Sequence, residues 1–211
     1  MSYEALRQAV LSGDESRVVE LSKSLLSEGK EPLEIVNEGL IGGMNIVGPK
    51  FKRGEMYVPE VLMSAKAMSS GLDIAKTVLT DVEIPSAGTV VIGTVEGDLH
   101  DIGKNLVAIM VESSGFKIVN LGVDQSVDDF IDAVKEHKPD VLGMSALLTT
   151  TMIKMQDTIN ALKEEGLRNR VKVIIGGAPI TQTFADEIEA DGYAPDGASA
   201  AELCKNLVSL L

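Results

Sequence analysis

From residue 89 onward the sequence alternates short apolar runs with longer amphipathic ones. No other feature limits the fold as much. The apolar runs are 89–95, 117–122, 140–146 and 171–176, with a short one near 192–194. Around them lie 102–114, 126–137, 150–165, 181–190 and 198–210, whose apolar residues recur at helical spacing. Continuous apolar strands separated by helices predict a parallel sheet covered on both faces. Gly115, Gly166 and Gly192 are expected at helix C-termini or in the turns after them.

The residues before 80 follow a different rule. They show helical periodicity and no strand pattern. Leu6, Val10 and Leu11 give a first helix its apolar face, Gly13 stops it, and Asp14 is a good N-cap for a second. Gly29 ends the second, Pro32 suits the first turn of a third, and Pro59 starts a fourth. The segment Gly42-Gly-Met-Asn-Ile-Val-Gly48 is rich in small residues, as a helix end is, and Met44, Met56 and Met63 suit a bundle core. Thr80–Gly88 is polar, contains Pro85 and breaks the periodicity, so it reads as a linker. The expected fold class is α/β. A helical bundle over 1–85 precedes a Rossmann-like five-stranded parallel domain over 86–211, with flavodoxin-like strand order.

Composition excludes several functions. The net charge is -13 across 211 residues, which opposes nucleic-acid binding through phosphate neutralisation. No apolar run reaches the ~18–20 residues of a membrane span. Met1-Ser-Tyr-Glu-Ala-Leu-Arg7 has no basic stretch followed by an apolar core, so no signal peptide is expected. The single cysteine rules out an internal disulfide framework. Together these point to the cytoplasm, with no nucleic-acid or membrane partner.

The strand-to-helix loop after 89–95 carries the chemistry: Gly93-Thr-Val-Glu-Gly-Asp-Leu-His-Asp-Ile-Gly103. A phosphate loop needs four residues between its glycines and then Lys-Ser/Thr. Here five residues separate Gly97 and Gly103, and Asn105 follows Lys104. The Asp98 carboxylate would also repel phosphate. A structural zinc site fails because His100, His137 and Cys204 are the only imidazole or thiolate ligands. His137 lies at a helix end and reads as a surface residue, and Cys204 reads as core. One imidazole remains, with a carboxylate two residues away, an arrangement that orients a metal-ligating histidine. The other strand ends on this edge carry Ser145-Ala-Leu-Leu-Thr-Thr-Thr151, Gly176-Gly-Ala-Pro179 and Tyr193-Ala-Pro-Asp-Gly197. Thr149 and Thr150 also suit helix N-caps.

Asp98-x-His100-x-x-Gly103 resembles the corrinoid-binding motif of methionine synthase and of the small corrinoid proteins of methyltransferase systems. Gly54-Glu-Met-Tyr-Val-Pro-Glu-Val61 resembles the segment of that family that caps the upper, methyl-bearing face of the corrinoid. The resemblance implies cobalamin or a related corrinoid, bound base-off/His-on, with His100 as the axial ligand of cobalt. It implies a relay of Asp98, His100 and Thr151, where methionine synthase has serine in the place of Thr151. Ser145 and Thr149 match positions that contact the nucleotide tail or the corrin, and Gly176, Gly177 and Gly197 match positions where backbone lies against the cofactor. Tyr57 matches an aromatic residue over the cobalt, with Val61 and Leu62 expected beside it.

The function so implied is a methyl carrier without catalysis of its own, alternating between Co(I) and methyl-Co(III). A substrate:corrinoid methyltransferase would load it. A corrinoid:tetrahydrofolate or corrinoid:thiol-coenzyme methyltransferase would unload it, and a reductive activase would restore it. Methylamines or quaternary amines are the favoured donors, with methanol and methoxylated aromatics as alternatives. A mutase subunit lacks the helical cap, a light-sensing regulator would need a DNA-binding domain, and a methionine synthase fragment fits a two-domain unit poorly. A flavodoxin-like regulatory domain is the reading outside corrinoids.

Overall fold

A computed structural model of the chain describes residues 2–79 and 86–209. These form two compact units, one before residue 80 and one from Ser86 onward, the Ser113–Gly115 turn excepted. Thr80–Pro85, most of the expected linker and its boundary, lie outside the described residues.

In the first unit, Ser2 and Asp14 cap α1 (Tyr3–Leu11) and α2 (Glu15–Ser27). The Asp14 carboxylate accepts the Arg17 N–H at 3.0 Å, which satisfies one of the orphan donors of a helix start. Pro32 opens α3 (Pro32–Glu34). The chain then runs without a break through a π-helical stretch, Ile35–Ile41, into α4 (Gly42–Lys52). Gly42–Gly48 is therefore helix interior and not the helix end its composition suggests. The reason is close packing. A Cβ at Gly39 would stand 2.4 Å from Leu6 Cδ2, and one at Gly43 2.7 Å from Val10 Cβ, so these glycines admit α1. Arg7 reaches into the π stretch, where it donates to the Glu38 carbonyl and, at 2.8 Å, to the Glu38 carboxylate. The last helix, α5 (Val58–Lys76), packs against α2. Leu6, Val10, Val18, Leu25, Ile35, Leu40, Val47 and Val61 are fully buried. Met44 and Met56 are core as expected, whereas Met63 is exposed.

The second unit is a five-stranded parallel sheet in the order β2-β1-β3-β4-β5. Its strands are β1 (Thr89–Val95), β2 (Lys117–Gln125), β3 (Val141–Ser145), β4 (Lys172–Gly176) and β5 (Gly192–Tyr193). One face is covered by α7 (Val127–His137), α8 (Ile153–Glu164) and α9 (Gln182–Glu187), through Phe130, Ile159, Leu162 and Ala185. The other is covered by α6 (Ile102–Glu112) and α10 (Gly197–Val208), through Val111, Ala200 and Cys204. Strand order reverses at β1, with β2 on one side and β3 on the other, so the switch point lies where the β1 and β3 loops emerge.

Three local readings change. Strand β2 runs on to Gln125 through two register shifts: Ile92 faces Asn120, Gly93 faces Gly122 and Val95 faces Gln125. Gly192 belongs to β5, and Glu189, at φ +60, takes the left-handed position after α9. Thr149 and Thr150 lie in a turn before Met152 and cap nothing.

The start of β1 is tied on both sides. The Lys117 N–H is shared between Ser86 Oγ (3.1 Å) and the Gly88 carbonyl (2.9 Å), and Thr89 N–H donates to Asp140 Oδ2 at 2.7 Å. No helix among the described residues is long and apolar enough to cross a membrane.

Candidate functional site

Strand β1 ends in a turn closed by the Asp98 N–H on the Val95 carbonyl (3.1 Å), with Gly97 at φ +81. That turn carries Asp98 inward until its side chain is fully buried. A buried carboxylate needs donors, and this one has five. Oδ1 accepts the His100 N–H (3.0 Å) and the His100 ring at Nδ1 (2.7 Å). Oδ2 accepts the backbone N–H groups of Leu147 (2.6 Å) and Leu148 (3.1 Å) and stands 3.2 Å from Thr151 Oγ1. The Thr151 hydroxyl also lies 2.9 Å from the Leu148 carbonyl, so its single hydrogen serves one acceptor at a time. Burial by itself raises the Asp98 pKa. The N–H groups of His100, Leu147 and Leu148 and the His100 ring outweigh it and hold the carboxyl well below the usual carboxylate range.

An ionised carboxylate only accepts, so Nδ1 of His100 carries the hydrogen. In the neutral ring Nε2 then keeps its lone pair. No described residue bonds to Nε2, and the His100 side chain is 52% exposed. Thr94, buried at the end of β1, donates to the His100 carbonyl at 3.1 Å. Apolar side chains are exposed on the two loops that Asp98 joins and at the helix starts that follow them: Leu99, Leu147 and Leu148 in the loops, Ile102 opening α6 and Ile153 opening α8. Gly103 faces open space, with nothing within 4 Å of where a Cβ would stand.

Asp98, His100 and Thr151 are thus brought together. Ser145 ends β3 and Thr149 lies exposed in the following turn, neither with a side-chain bond among the described residues. The other three glycines face protein. A Cβ at Gly176 would stand 2.9 Å from the Ala194 carbonyl oxygen, one at Gly177 1.8 Å from that of Ala146, and one at Gly197 2.7 Å from Met110 Sδ. Lys104 is buried, with Nζ donating to Asn105 and Asn120 at 2.7 Å each. Burial lowers its pKa, against the opposing pull of Asp101. His137 is the exposed last residue of α7, and Cys204 is core, its thiol pushed by burial up to about 12.

In the first unit, Tyr57 is 71% exposed, and Val58, Leu62 and Met63 are exposed with it. Val61, expected at this surface, is fully buried in the bundle. It lies on the inward side of α5, and Met63 takes up the exposed role. The Tyr57 N–H donates to the Glu60 carboxylate at 2.8 Å.

Sequence reasoning missed Thr94, the two leucine N–H groups and the apolar flank of His100. The flank had a signal: Leu99 and Ile102 are large apolar residues in a loop and at the helix start after it, where polar ones are usual.

Two family models match the chain, each a B12 binding domain, one over residues 2–76 and the other over 88–203. A corrinoid protein of Desulfitobacterium hafniense (strain Y51) is 44% identical over 210 residues, covering 97% of this chain and 96% of the relative. Dimethylamine corrinoid protein 2 of Methanosarcina acetivorans is 43% identical over 206 residues, covering 97% of this chain and 95% of the relative. Among solved structures, the methanol:cobalamin methyltransferase complex MtaBC from Methanosarcina barkeri superposes with a TM-score of 0.87 at 31% identity, covering 98% of this chain and 79% of the matched chain. A cobalamin-binding protein from Desulfitobacterium hafniense DCB-2 gives 0.83 at 33% identity, covering 98% of both chains. The chain belongs to the family of corrinoid proteins assembled from these two B12 binding domains.

Proposed function

We propose that this chain is the methyl-carrying corrinoid protein of a methylamine methyltransferase system, with His100 as the lower axial ligand of its cobalt. The observation that carries this reading is the His100 imidazole, fixed at Nδ1 by a buried carboxylate and left with a free lone pair at Nε2. The residues fit such a group. Among the described residues no set of three His, Cys, Asp or Glu side chains gathers to hold a bare ion. A corrinoid brings its own equatorial nitrogens and asks the protein for one more. The exposed Leu99, Ile102, Leu147, Leu148 and Ile153 offer an apolar floor for a flat, largely apolar ring.

The bound cobalt centre supplies the site where a methyl group is taken up and given away. The chain's own residues govern the ligand. Asp98 keeps the hydrogen on Nδ1 and so keeps Nε2 free to bind. When His100 is not ligated, the Nε2 lone pair is open to a hydrogen while Nδ1–H stays on Asp98. Ligation and protonation therefore exclude each other at one atom. Thr151, its hydroxyl placed between Asp98 and the Leu148 carbonyl, is the third member of this relay. Tyr57 and its exposed neighbours are the surface of the helical unit that the family resemblance assigns to the cofactor.

Relatedness supports a methylamine as the donor. The relatives named for dimethylamine and trimethylamine are 41–46% identical to this chain, whereas the methanol complex shares 31%. The first partner is then a methylamine:corrinoid methyltransferase. A second methyltransferase removes the methyl group, and a reductive activase restores the carrier.

The test is a visible spectrum after anaerobic reconstitution with hydroxocobalamin and desalting. Wild type is expected to retain cobalamin with a His-on spectrum, and His100→Ala to lose or change it. A folded wild-type protein that elutes colourless overturns the reading. Methylation by methylamine methyltransferases but not by a methanol methyltransferase supports the donor class, and the reverse overturns it.

A further inference from the structure

Asp124 stands near the end of β2 at φ +55, in the left-handed region that residues other than glycine occupy at a cost. It reaches that conformation through the second register shift of β2. Between the Gly93–Gly122 and Val95–Gln125 pairs, the β2 side carries one residue more than the β1 side. A bulge of this kind bends the strand and re-aims a side chain. Here the Asp124 carboxylate accepts the Gly97 N–H at 2.7 Å. The Asp124 N–H in turn donates to the Asp98 carbonyl at 3.0 Å. One residue of the edge strand therefore grips the backbone on both sides of the Asp98 α-carbon. Glycine would occupy φ +55 without strain, but it would bring no acceptor to Gly97.

The five donors of the Asp98 side chain all come from the loops after β1 and β3, and they fix the carboxylate relative to those loops. The loop backbone is tied to β1 by the Asp98 N–H on Val95 and by Thr94 on the His100 carbonyl, and the grip from β2 adds the hold on Gly97 from the edge strand. Without it, Gly97 is a φ +81 glycine with no other partner for its N–H among the described residues. The turn can then pivot, and the His100 ring, tied to Asp98, pivots with it.

We propose that Asp124 is a positioning residue, which aligns the Asp98–His100 couple for the corrinoid from the edge strand of the sheet. This rests on His100 being the axial ligand. The experiment compares wild type, Asp124→Asn, Asp124→Gly and His100→Ala. In Asp124→Asn the amide oxygen still accepts from Gly97, and asparagine tolerates the left-handed region. Asp124→Gly removes the acceptor and relieves the backbone.

In the cofactor-free protein, the Gly97 amide is expected to exchange with solvent about tenfold faster in Asp124→Gly and at the wild-type rate in Asp124→Asn. On reconstitution with hydroxocobalamin, Asp124→Gly is expected to bind about tenfold more weakly, with a reduced His-on fraction that Asp124→Asn restores. Unchanged Gly97 exchange in a folded Asp124→Gly protein overturns the proposal, because the grip is then not made in solution. Faster exchange with wild-type affinity and His-on fraction also overturns it, because the bond then serves the turn alone. A wild-type protein whose spectrum matches His100→Ala overturns the axial-ligand reading, and the positioning role with it.

Discussion

His100 and Tyr57 are both exposed, His100 over 52% of its side chain and Tyr57 over 71% of the residue, yet the chain holds them by different means. Around His100 the polar atoms are tied. Its ring is bonded to Asp98, its carbonyl to Thr94, and Asp98 itself to two further backbone N–H groups. Tyr57 is fixed through its backbone, by Glu60, and its hydroxyl has no partner among the described residues. The sheet unit builds a position to high definition, with its site residues woven into the fold. The helical unit builds a surface, held from behind by a close-packed core. Substitutions at the sheet site should therefore cost stability, and substitutions on the helical surface should not.

The largest expected effect is at Gly177. Its φ is +132, and a Cβ would overlap the Ala146 carbonyl. Gly177→Ala is expected to cost about 3 kcal/mol or more, read as a shift in the urea midpoint. A wild-type midpoint would break the claim that the strand ends around the site admit no slack. Next is Asp98→Asn. The new amide hydrogens would face N–H donors on whichever side they turn, so about 2 kcal/mol should be lost. The domain should stay folded, while cobalamin affinity falls by about 10–100-fold. Unchanged spectra and methylation rates in that variant would count against the relay.

The pH dependence separates the units as well, because the chain's one cysteine lies in the sheet unit. The Cys204 thiol is raised to about 12 in the fold, against about 8.5 when unfolded. Between those values the unfolded chain releases a proton that the folded one keeps. Stability therefore falls as pH rises, by up to about 1.4 kcal/mol per unit. The stability gap between wild type and Cys204→Ala should narrow from pH 8 to pH 10. A constant gap would show that the thiol is not shielded.

In the helical unit, Gly43→Ala tests the packing that stands behind the surface. The clash with Val10 costs about 1–3 kcal/mol and is partly offset by about 1 kcal/mol of helix propensity. A net loss of about 1 kcal/mol is expected by thermal melting. The smallest effect is Tyr57→Ala, within about 0.5 kcal/mol of wild type. A larger loss would erase the contrast between surface and site.

The strands at 89–95, 141–145 and 172–176 were legible because buried parallel strands read as continuous apolar runs. The end of β2 was not, because Val123-Asp-Gln125 has no period and its bulge is a matter of backbone angles. Gly42, Gly43 and Gly48 look like a helix end by composition, since composition does not say whether a missing side chain frees the backbone or makes room for a neighbour. Asp98 and His100 could be paired because each has a side chain suited to its role at a spacing of two, and Thr151 joined them through the resemblance. The N–H groups of Leu147 and Leu148 could not, since nearly every residue carries one. Gly176, Gly177 and Gly197 match the motif, but the space in front of them is filled by Ala194, Ala146 and Met110.

The tie at the start of β1 has a mechanical side. The chain enters the sheet unit at Ser86, anchored to Lys117 at the start of β2 and, through Thr89, to Asp140 just ahead of β3. Strand β1 lies between those two strands and carries the histidine loop at its other end. A pull on the chain at Ser86 directed along β1 would run parallel to both neighbours. It loads the hydrogen bonds of two ladders sideways and together, where a pull on an edge strand could peel them one at a time. Tension in that direction is resisted across the centre of the sheet before it can displace His100.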